Sequence, residues 1–168
     1  MSTPTADLDA RYSEPEAEAL SWDEASEILA AAELSWITTV RPDGTPHVTP
    51  LITVRHEGTT YFCTGPEERK ARNLRTNPAV ALTTGTNALH GGTDVVLEGV
   101  AERVTDDVLI AALIEAWAAK YGDEWRFEQG EAAFKHPGSD AYAWVFAVRP
   151  TRGFAFGKAP YSQTRWTF

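Results

Sequence analysis

Polar and apolar residues alternate along several short segments of the chain, which predicts a protein built mainly of β-strands. The first of these segments is 35–41, where Trp36 and Val40 lie on the same face. Residues 42–44, Pro-Asp-Gly, predict a tight turn, because proline presets φ and glycine accepts a positive φ. The alternation resumes over 46–54. The two segments therefore form a predicted antiparallel hairpin.

Helices are expected at both sides of these strands. Ser21 and Glu24 have the spacing of a capping box, which predicts the start of the first helix. Pro66 suits the first turn of a second helix, and Asn77-Pro78 would end it. The remaining predicted elements are strands at 60–64, 79–84, 94–104, 142–149 and 151–157, and helices at 22–33, 66–76 and from Thr105 to Gly122. Six or seven mostly antiparallel strands with interspersed helices indicate a mainly β fold with α-helices, a small closed barrel covered at its ends.

The length bounds the domain organisation. A chain of 168 residues with 43% hydrophobic residues is expected to form one globular domain. We expect a mobile acidic arm over residues 1–20, which lack apolar periodicity, and one domain over 21–168. An apolar run long enough to cross a membrane is absent, and the single cysteine, Cys63, fits a reducing cytoplasm.

The distribution of charge argues against a nucleic-acid partner. The net charge is −9, and residues 1–34 contain nine acidic residues and only one basic residue. The rest of the chain is close to neutral, whereas a nucleic-acid-binding domain shows a basic stripe. One small basic cluster, around Arg69 and Lys70, has enough charge for a phosphate or two.

The sequence lacks the common catalytic motifs. It contains no phosphate-binding P-loop, no Gly-x-Gly-x-x-Gly run and no Gly-x-Ser-x-Gly elbow. The four histidines do not have the spacing of zinc ligands. Cys63 lies in a predicted strand, where a cysteine is more often a small buried side chain than a nucleophile.

The most informative segment is 64–74, where a strand ends, turns through Gly65 and enters a helix. Backbone N–H groups at such a junction favour an anion. Lys70 and Asn73 would share one face of the helix, with Arg69 in a neighbouring row. This pattern favours a phosphate site, and the alternative is a solvated basic face paired with the acidic residues that precede it.

Two further segments carry candidate binding residues. Pro50 within the 46–54 strand indicates a sheet edge or a bulge, which would free backbone groups for a planar ligand; the alternative is an ordinary edge strand with a half-exposed His47. Near the end of the sequence, Arg165 beside Trp166 could stack on a ring system and reach an anion. The alternative is a strand that completes the barrel or a dimer face.

Taken together, residues 36–50, 61–65, 69–74 and 77–82 resemble the split-barrel flavin-binding family. That family includes pyridoxamine 5′-phosphate oxidase and the flavin- and deazaflavin-dependent oxidoreductases of actinobacteria. The resemblance implies a six-stranded antiparallel split barrel with peripheral helices. It also implies a homodimer with two cofactor sites at the subunit interface, each holding FMN or coenzyme F420.

The resemblance also implies roles for particular residues. The ring of the cofactor would lie against His47, Val48, Thr49 and Leu51. Its phosphate would be held by Thr64, Arg69, Lys70 and Asn73. Trp144, Arg165 and Trp166 would approach from the partner subunit.

One departure from the family affects the expected substrate. True pyridoxamine 5′-phosphate oxidases have an Arg-x-His segment near the C-terminus that holds the substrate, and here no histidine follows Arg165. The first hypothesis is therefore a cytoplasmic homodimeric oxidoreductase that uses F420 or FMN on a small conjugated substrate. The alternatives are FMN-dependent oxidation of pyridoxamine 5′-phosphate and a non-catalytic protein that binds a flavin, a deazaflavin or haem.

A homodimer is also expected from the aromatic content. The six tryptophans, seven phenylalanines and five tyrosines exceed what one small barrel easily buries. The aromatic residues expected at the interface are Trp125, Phe127, Trp144 and Trp166.

Overall fold

The computed structural model describes residues 4–168, and this part of the chain folds mainly into β-strands with three α-helices. The strands are β1 (Ala6–Leu8), β2 (Ser35–Val40), β3 (Pro46–Leu51), β4 (Thr53–His56), β5 (Thr59–Thr64), β6 (Ala79–Gly85), β7 (Thr93–Arg103), β8 (Glu128–Gly130), β9 (Ala133–Lys135), β10 (Tyr142–Lys158) and β11 (Tyr161–Thr167). The α-helices are α1 (Trp22–Ala31), α2 (Arg69–Leu74) and α3 (Asp107–Tyr121), and short 3₁₀ turns span Ala10–Tyr12 and Asp123–Trp125.

The strands close into an antiparallel barrel. Strands β3, β2, β6, β7 and β10 lie side by side in that order, and β5 pairs with the first part of β10 while β4 pairs with β5. Only Ile52 separates β3 from β4, so these two segments act as one bent strand that joins both ends of the sheet. The six-stranded split barrel expected from the sequence is thereby confirmed. The sheet continues past β10 through β11 and β1.

Strand β10 unites two predicted strands. The sequence pattern breaks at Pro150, and the structure has one long strand whose register against β7 shifts between Pro150 and Arg152. Proline has no N–H to donate to the neighbouring strand, which explains a bulge at this position. Gly99 lies opposite the bulge, where an added Cβ would be 2.1 Å from the carbonyl oxygen of Arg149. Glycine is therefore required for this close approach of two backbones.

The barrel interior forms one hydrophobic core, and α3 covers a second core beside it. The buried residues of the barrel core include Leu29, Ile37, Phe62, Leu82, Leu97, Val148 and Trp166. The second core, between α3, β5, β9 and β10, includes Tyr61, Ile110, Leu113, Trp117, Phe127, Phe134 and Val145. The two cores share β5 and β10, because successive residues of a strand point to opposite faces.

The helices match their predicted positions with differences at the ends. Helix α1 begins after Ser21, whose side chain forms the predicted capping box with Glu24. Helix α2 begins at Arg69 instead of Pro66, because the N–H of Glu68 donates to the carbonyl of Gly65 at 3.0 Å and makes a separate turn first. Among residues 4–168, no helix combines the length and the apolar character that a membrane crossing requires.

The segment before α1 contains more structure than the sequence indicates. Strand β1 pairs with β11, and Asp9 caps the turn at Ala10–Tyr12. The expected mobile arm over 1–20 thus differs from the structure at residues 6–12, because backbone pairing with β11 needs no apolar periodicity. The first three residues of the expected arm lie outside the described residues.

Candidate functional site

The junction between β5 and α2, residues 64–70, is built around a buried lysine. The Lys70 side chain is only 11% exposed, and its ammonium contacts a carboxylate oxygen of Glu68. The other carboxylate oxygen of Glu68 accepts a hydrogen bond from the N–H of Gly65 at 2.8 Å. Burying an ammonium group is costly unless it is paired, so Glu68 stabilises Lys70 in this position. The contact matches part of the alternative given by the sequence, in which the basic residues pair with the acidic residues that precede them, but Lys70 is buried and not solvated.

Three of the predicted phosphate residues meet at this junction. Thr64 is the buried last residue of β5, Lys70 lies on the first turn of α2, and Arg69 beside it is exposed. Their proximity follows from the sequence, because a strand followed by a short turn and a helix keeps neighbouring residues together. The junction therefore presents two cations next to a backbone N–H, an arrangement that suits an anion.

Asn73 lies behind the junction and not on its surface. It is 0% exposed, and its side-chain amide donates to the Thr39 hydroxyl at 2.9 Å. The Thr39 hydroxyl lies 3.4 Å from Nδ1 of His47. The expectation that Asn73 contacts a phosphate differs from this geometry, because the Asn73 side chain points toward β2. Through Thr39 it connects α2 with β3. Sequence reasoning gave no role to Thr39, which lies on the inner face of β2.

The environment of His47 favours its neutral form. Partial burial lowers the pKa of His47, and the positive charges of Arg41, Lys70 and Arg69 lower it further. These electrostatic causes place the imidazole within range of the cations of the junction. His47 is therefore a neutral donor or acceptor beside a positively charged site.

The residues expected to line the cofactor ring divide between two faces of β3. His47, Thr49 and Leu51 are partly buried and alternate with the exposed Val48. The Thr49 hydroxyl is buried without a hydrogen-bond partner in the described part of the chain. Because the four side chains point in two directions, a planar ligand that contacts all four positions would have to lie along the edge of the strand.

The edge of β3 has a defined set of backbone groups. The N–H of Arg41 donates to the carbonyl of Thr45 at 2.9 Å. Backbone groups of an antiparallel strand point alternately toward and away from the neighbouring strand, so this bond shows which residues of β3 face β2. The residues of β3 whose backbone groups point away from β2 are therefore Pro46, Val48 and Pro50. Proline has no N–H, so Val48 supplies the single backbone donor among these three residues. Within residues 4–168, β3 pairs with β2 alone, which confirms the predicted edge position of Pro50.

Trp144 lies beside the junction of its own chain. It is directly opposite Thr64 in the β5–β10 pairing. Arg103 and Arg75 place their guanidinium groups 4.2 Å and 5.3 Å from the centre of the Trp144 ring. Two cations on one aromatic ring extend the positive region of the site beyond Lys70. The expectation placed Trp144 in the site of a partner subunit, whereas the structure brings it to the junction of the same chain.

Arg165 and Trp166 do not act together. They are adjacent in β11 and therefore lie on opposite faces of the sheet. Trp166 is 0% exposed and packs against Trp22 in the barrel core. Arg165 is exposed and forms an ion pair with Asp7 at 2.8 Å. We therefore exclude Trp166 from the site, because its side chain has no surface to offer to a ligand.

Several apolar side chains lie on the outer side of the sheet. We define this outer face by five residues on the outward side of four strands, β2, β3, β7 and β10: Trp36, Val48, Val96, Phe154 and Phe156. Strand pairing places Trp36, Val96 and Phe154 in one row, with Thr83 between the first two and Arg165 at the end. Trp36 and Val48 are each 52% exposed, although both are large and apolar.

The aromatic residues that led us to expect a dimer are distributed differently. Phe127 and Trp166 are buried within the chain, and Trp144 is partly buried against the barrel core. Trp125 is exposed, but it lies on a 3₁₀ turn away from the outer face. The exposed apolar surface therefore comes from residues that the aromatic count did not single out.

The cysteine and the metal-ligand residue types lie as follows. Burial raises the pKa of the Cys63 thiol to about 12, so this cysteine is a poor nucleophile. Within residues 4–168, His, Cys, Asp and Glu form no group suited to a metal ion.

Comparison with known families gives a match over most of the chain. Residues 21–153 match the family model described as pyridoxamine 5′-phosphate oxidase. No curated protein sequence matches the chain significantly.

Solved structures with the same fold have diverse descriptions. A conserved hypothetical protein of Mycobacterium tuberculosis is 19% identical with a TM-score of 0.66, over 83% of this chain and 86% of that chain. The haem storage protein HutZ of Vibrio cholerae is 22% identical with a TM-score of 0.62, over 82% and 94%. An FAD-binding protein of Mycobacterium smegmatis is 20% identical with a TM-score of 0.57, over 89% and 97%.

Proposed function

The chain belongs to the pyridoxamine 5′-phosphate oxidase family, and from this premise we propose that it is an oxidoreductase that binds FMN or coenzyme F420. The phosphate of the cofactor would bind at the junction between β5 and α2, and the ring would lie along the edge of β3. The substrate would be a small conjugated molecule. The observation that carries this proposal is the buried ammonium of Lys70 beside an open strand edge.

The groups around the junction fit a phosphorylated planar ligand. Lys70 and Arg69 supply positive charge, and Gly65 supplies a backbone N–H. Val48 contributes one backbone donor to the edge against which the ring would lie, and Trp144 adds an aromatic surface next to Thr64. The donor set therefore provides an anchor for the anion and a separate contact for the ring.

The chain's own residues would bind and orient the cofactor. A bound flavin or deazaflavin supplies the hydride chemistry, and the protein sets its position and electrostatic environment. The N–H of Val48 can donate to an acceptor atom on the ring. Neutral His47 stays near the cations without adding a charge of its own. This division of roles needs no catalytic acid or nucleophile from the protein.

We also propose a homodimer that buries the outer face. The exposed Trp36 and Val48 of the outer face would be covered by the same surface of a second copy. Arg165 lies at the end of this surface. In the proposed dimer, its side chain would extend toward the cofactor site of the partner subunit. A cytoplasmic location is proposed on the basis of the single cysteine.

A cofactor titration with variants tests the proposed site. Tryptophan fluorescence is followed while FMN and F420 are added separately to the wild type, Lys70→Gln and Arg72→Gln. Loss of the ammonium in Lys70→Gln should weaken cofactor binding at least about tenfold, because a charged hydrogen bond contributes roughly 1.5–3 kcal/mol. Arg72 is exposed on the same helix and pairs with Glu67, so Arg72→Gln should change the affinity less than about threefold.

Either of two results would contradict the proposed site. One is equal affinity of the wild type and Lys70→Gln for the cofactor, provided that thermal unfolding shows both to be folded. The other is the absence of binding of both cofactors to the wild type.

Haem binding is the second candidate function. It is favoured by the similarity of the fold to that of a haem storage protein. Titration with haemin separates the two candidates, because haem bound to a protein side chain shifts and sharpens the Soret absorption. Stoichiometric haem binding that excludes FMN and F420 would support a storage or sensing role without hydride transfer.

Oxidation of pyridoxamine 5′-phosphate is the remaining alternative. The FMN-loaded protein would then release hydrogen peroxide when this substrate is added. The position two residues after Arg165, where the Arg-x-His segment has its histidine, is Thr167 in this chain, so we expect no peroxide.

A further inference from the structure

A carboxylate of the protein already contacts the groups that would hold a cofactor phosphate. Glu68 accepts from the N–H of Gly65 with one oxygen and contacts the ammonium of Lys70 with the other. These are the same two donors that we assign to the phosphate. Gly65 leaves room for this contact, since an added Cβ would lie 3.2 Å from the Glu68 oxygen.

The carboxylate belongs to the junction electrostatically as well as geometrically. Burial raises the pKa of Glu68, but the hydrogen bonds from Lys70 and Gly65 outweigh this effect and leave the pKa below its ordinary value. Glu68 is therefore ionised at neutral pH. Its side chain is also 52% exposed, so it can rotate into solvent and leave the junction when another anion arrives.

We propose that Glu68 acts as an internal anion that competes with the cofactor phosphate and so sets the selectivity of the site. The inference rests on the proposed function of this junction. An incoming phosphate must displace the carboxylate from Lys70 and Gly65, or bind beside it against charge repulsion. The free-energy cost that Glu68 imposes on binding grows with the negative charge of the incoming group, because two like charges at close range repel each other.

The selectivity follows from the charge of each phosphate. A phosphomonoester such as that of FMN carries close to two negative charges at neutral pH. The phosphodiester of F420 carries one, and riboflavin has no phosphate. Glu68 should therefore disfavour FMN most, F420 less and riboflavin not at all.

Neighbouring Glu67 offers a matched control. It has the same charge and lies one residue earlier, but its carboxylate pairs with Arg72 and Arg75 instead of Lys70. Replacement of Glu67 changes the net charge of the protein equally and leaves the contacts of Lys70 in place. A difference in cofactor affinity between the Glu68 and Glu67 variants therefore comes from the contact of Glu68 with Lys70, and not from the change in net charge.

The test compares the affinities of FMN, F420 and riboflavin for the wild type, Glu68→Gln, Glu68→Ala and Glu67→Gln. FMN should bind at least about tenfold more tightly to both Glu68 variants than to the wild type, and F420 should gain less than FMN. Riboflavin should change less than about twofold, and Glu67→Gln should resemble the wild type for all three ligands. Thermal unfolding of each variant confirms that it is folded, and the alanine variant removes the contact if glutamine retains it.

Two outcomes would overturn the inference in distinguishable ways. If FMN binds to the wild type and binds equally or less tightly to both Glu68 variants, Glu68 supports Lys70 and does not compete, while the site itself stands. If FMN, F420 and riboflavin fail to bind to every variant, the proposed cofactor site fails and the role of Glu68 fails with it.

Discussion

At the scale of single residues, the site depends on charges held close together beneath a partly exposed surface. Lys70 is held against Glu68, and His47 lies within the field of Arg41, Lys70 and Arg69. Asn73, on the same helix as Lys70, donates to the Thr39 hydroxyl, which lies 3.4 Å from Nδ1 of His47. A change of charge at the junction should therefore be measurable at His47.

The titration of His47 provides a residue-scale prediction. Its pKa should lie below the ordinary value of about 6.5 in the free protein and rise when FMN binds, because the phosphate neutralises Lys70 and Arg69. NMR of the imidazole protons across pH 4–8, with and without FMN, measures both values. His90 lies in an exposed loop and serves as the reference, since its resonances should not respond to the ligand.

The sign of the effect on stability follows from the same shift. The folded state binds a proton at His47 less readily than the unfolded state, so stability falls as the pH drops from about 6.5 toward the lowered pKa. Above this window both states are neutral at His47 and the contribution is constant. If the pKa of His47 does not change when FMN binds, the phosphate does not lie close enough to Lys70 and Arg69 to neutralise them, and the prediction is wrong.

At the scale of elements, local pattern and long-range pairing contribute in different ways. The alternation of β2 and β3 and the capping box of α1 are local, and both are confirmed. The junction residues Thr64, Arg69 and Lys70 come together for the same reason. The pairing of β5 with β10 closes the barrel and joins residues about eighty positions apart; the strand pattern indicated a closed barrel but did not say which strands would pair to close it.

The parts of the site that the sequence did not predict also have physical causes. The alternation rule places Arg165 and Trp166 on opposite faces, but it does not tell which face is the core. Asn73 is buried because Thr39 of another element lies beneath it. The role of Glu68 depends on the turn over residues 65–68, which a helix beginning at Pro66 would have replaced.

The bulge in β10 leads to an element-scale prediction. Gly99→Ala should destabilise the protein by roughly 1–3 kcal/mol or more, because the new Cβ would overlap the backbone of Arg149 and force β7 from β10. Gly91→Ala is the matched control, since no atom lies within 4 Å of the Cβ it would add. Chemical denaturation of both variants measures the difference. Equal unfolding free energies would show that the two strands relax without cost.

At the scale of the whole molecule, the outer face is the feature that a single chain leaves unexplained. It presents large apolar residues across the sheet, although the barrel core is complete without them. The same sheet carries β3, so a second copy seated on the outer face would lie close to the proposed ring position. Assembly and cofactor binding are thus expected to depend on each other.

Light scattering tests the proposed dimer. The wild type should be a dimer at micromolar concentration, and Val48→Glu should be a monomer because it places a charge in the buried interface. Val108→Glu is the control, since Val108 is 81% exposed on α3 rather than on the outer face, and this variant should remain a dimer. A monomeric wild type would contradict the assembly, and it would leave the outer face for another partner.

The most direct test of the central claim is a crystal structure of the protein with FMN or F420 bound. The phosphate should lie within hydrogen-bond distance of the Lys70 ammonium, with the ring along the edge of β3 and near the N–H of Val48. Density for the phosphate at any other place, such as the cavity lined by Trp22, Arg55 and Phe168, would contradict the claim.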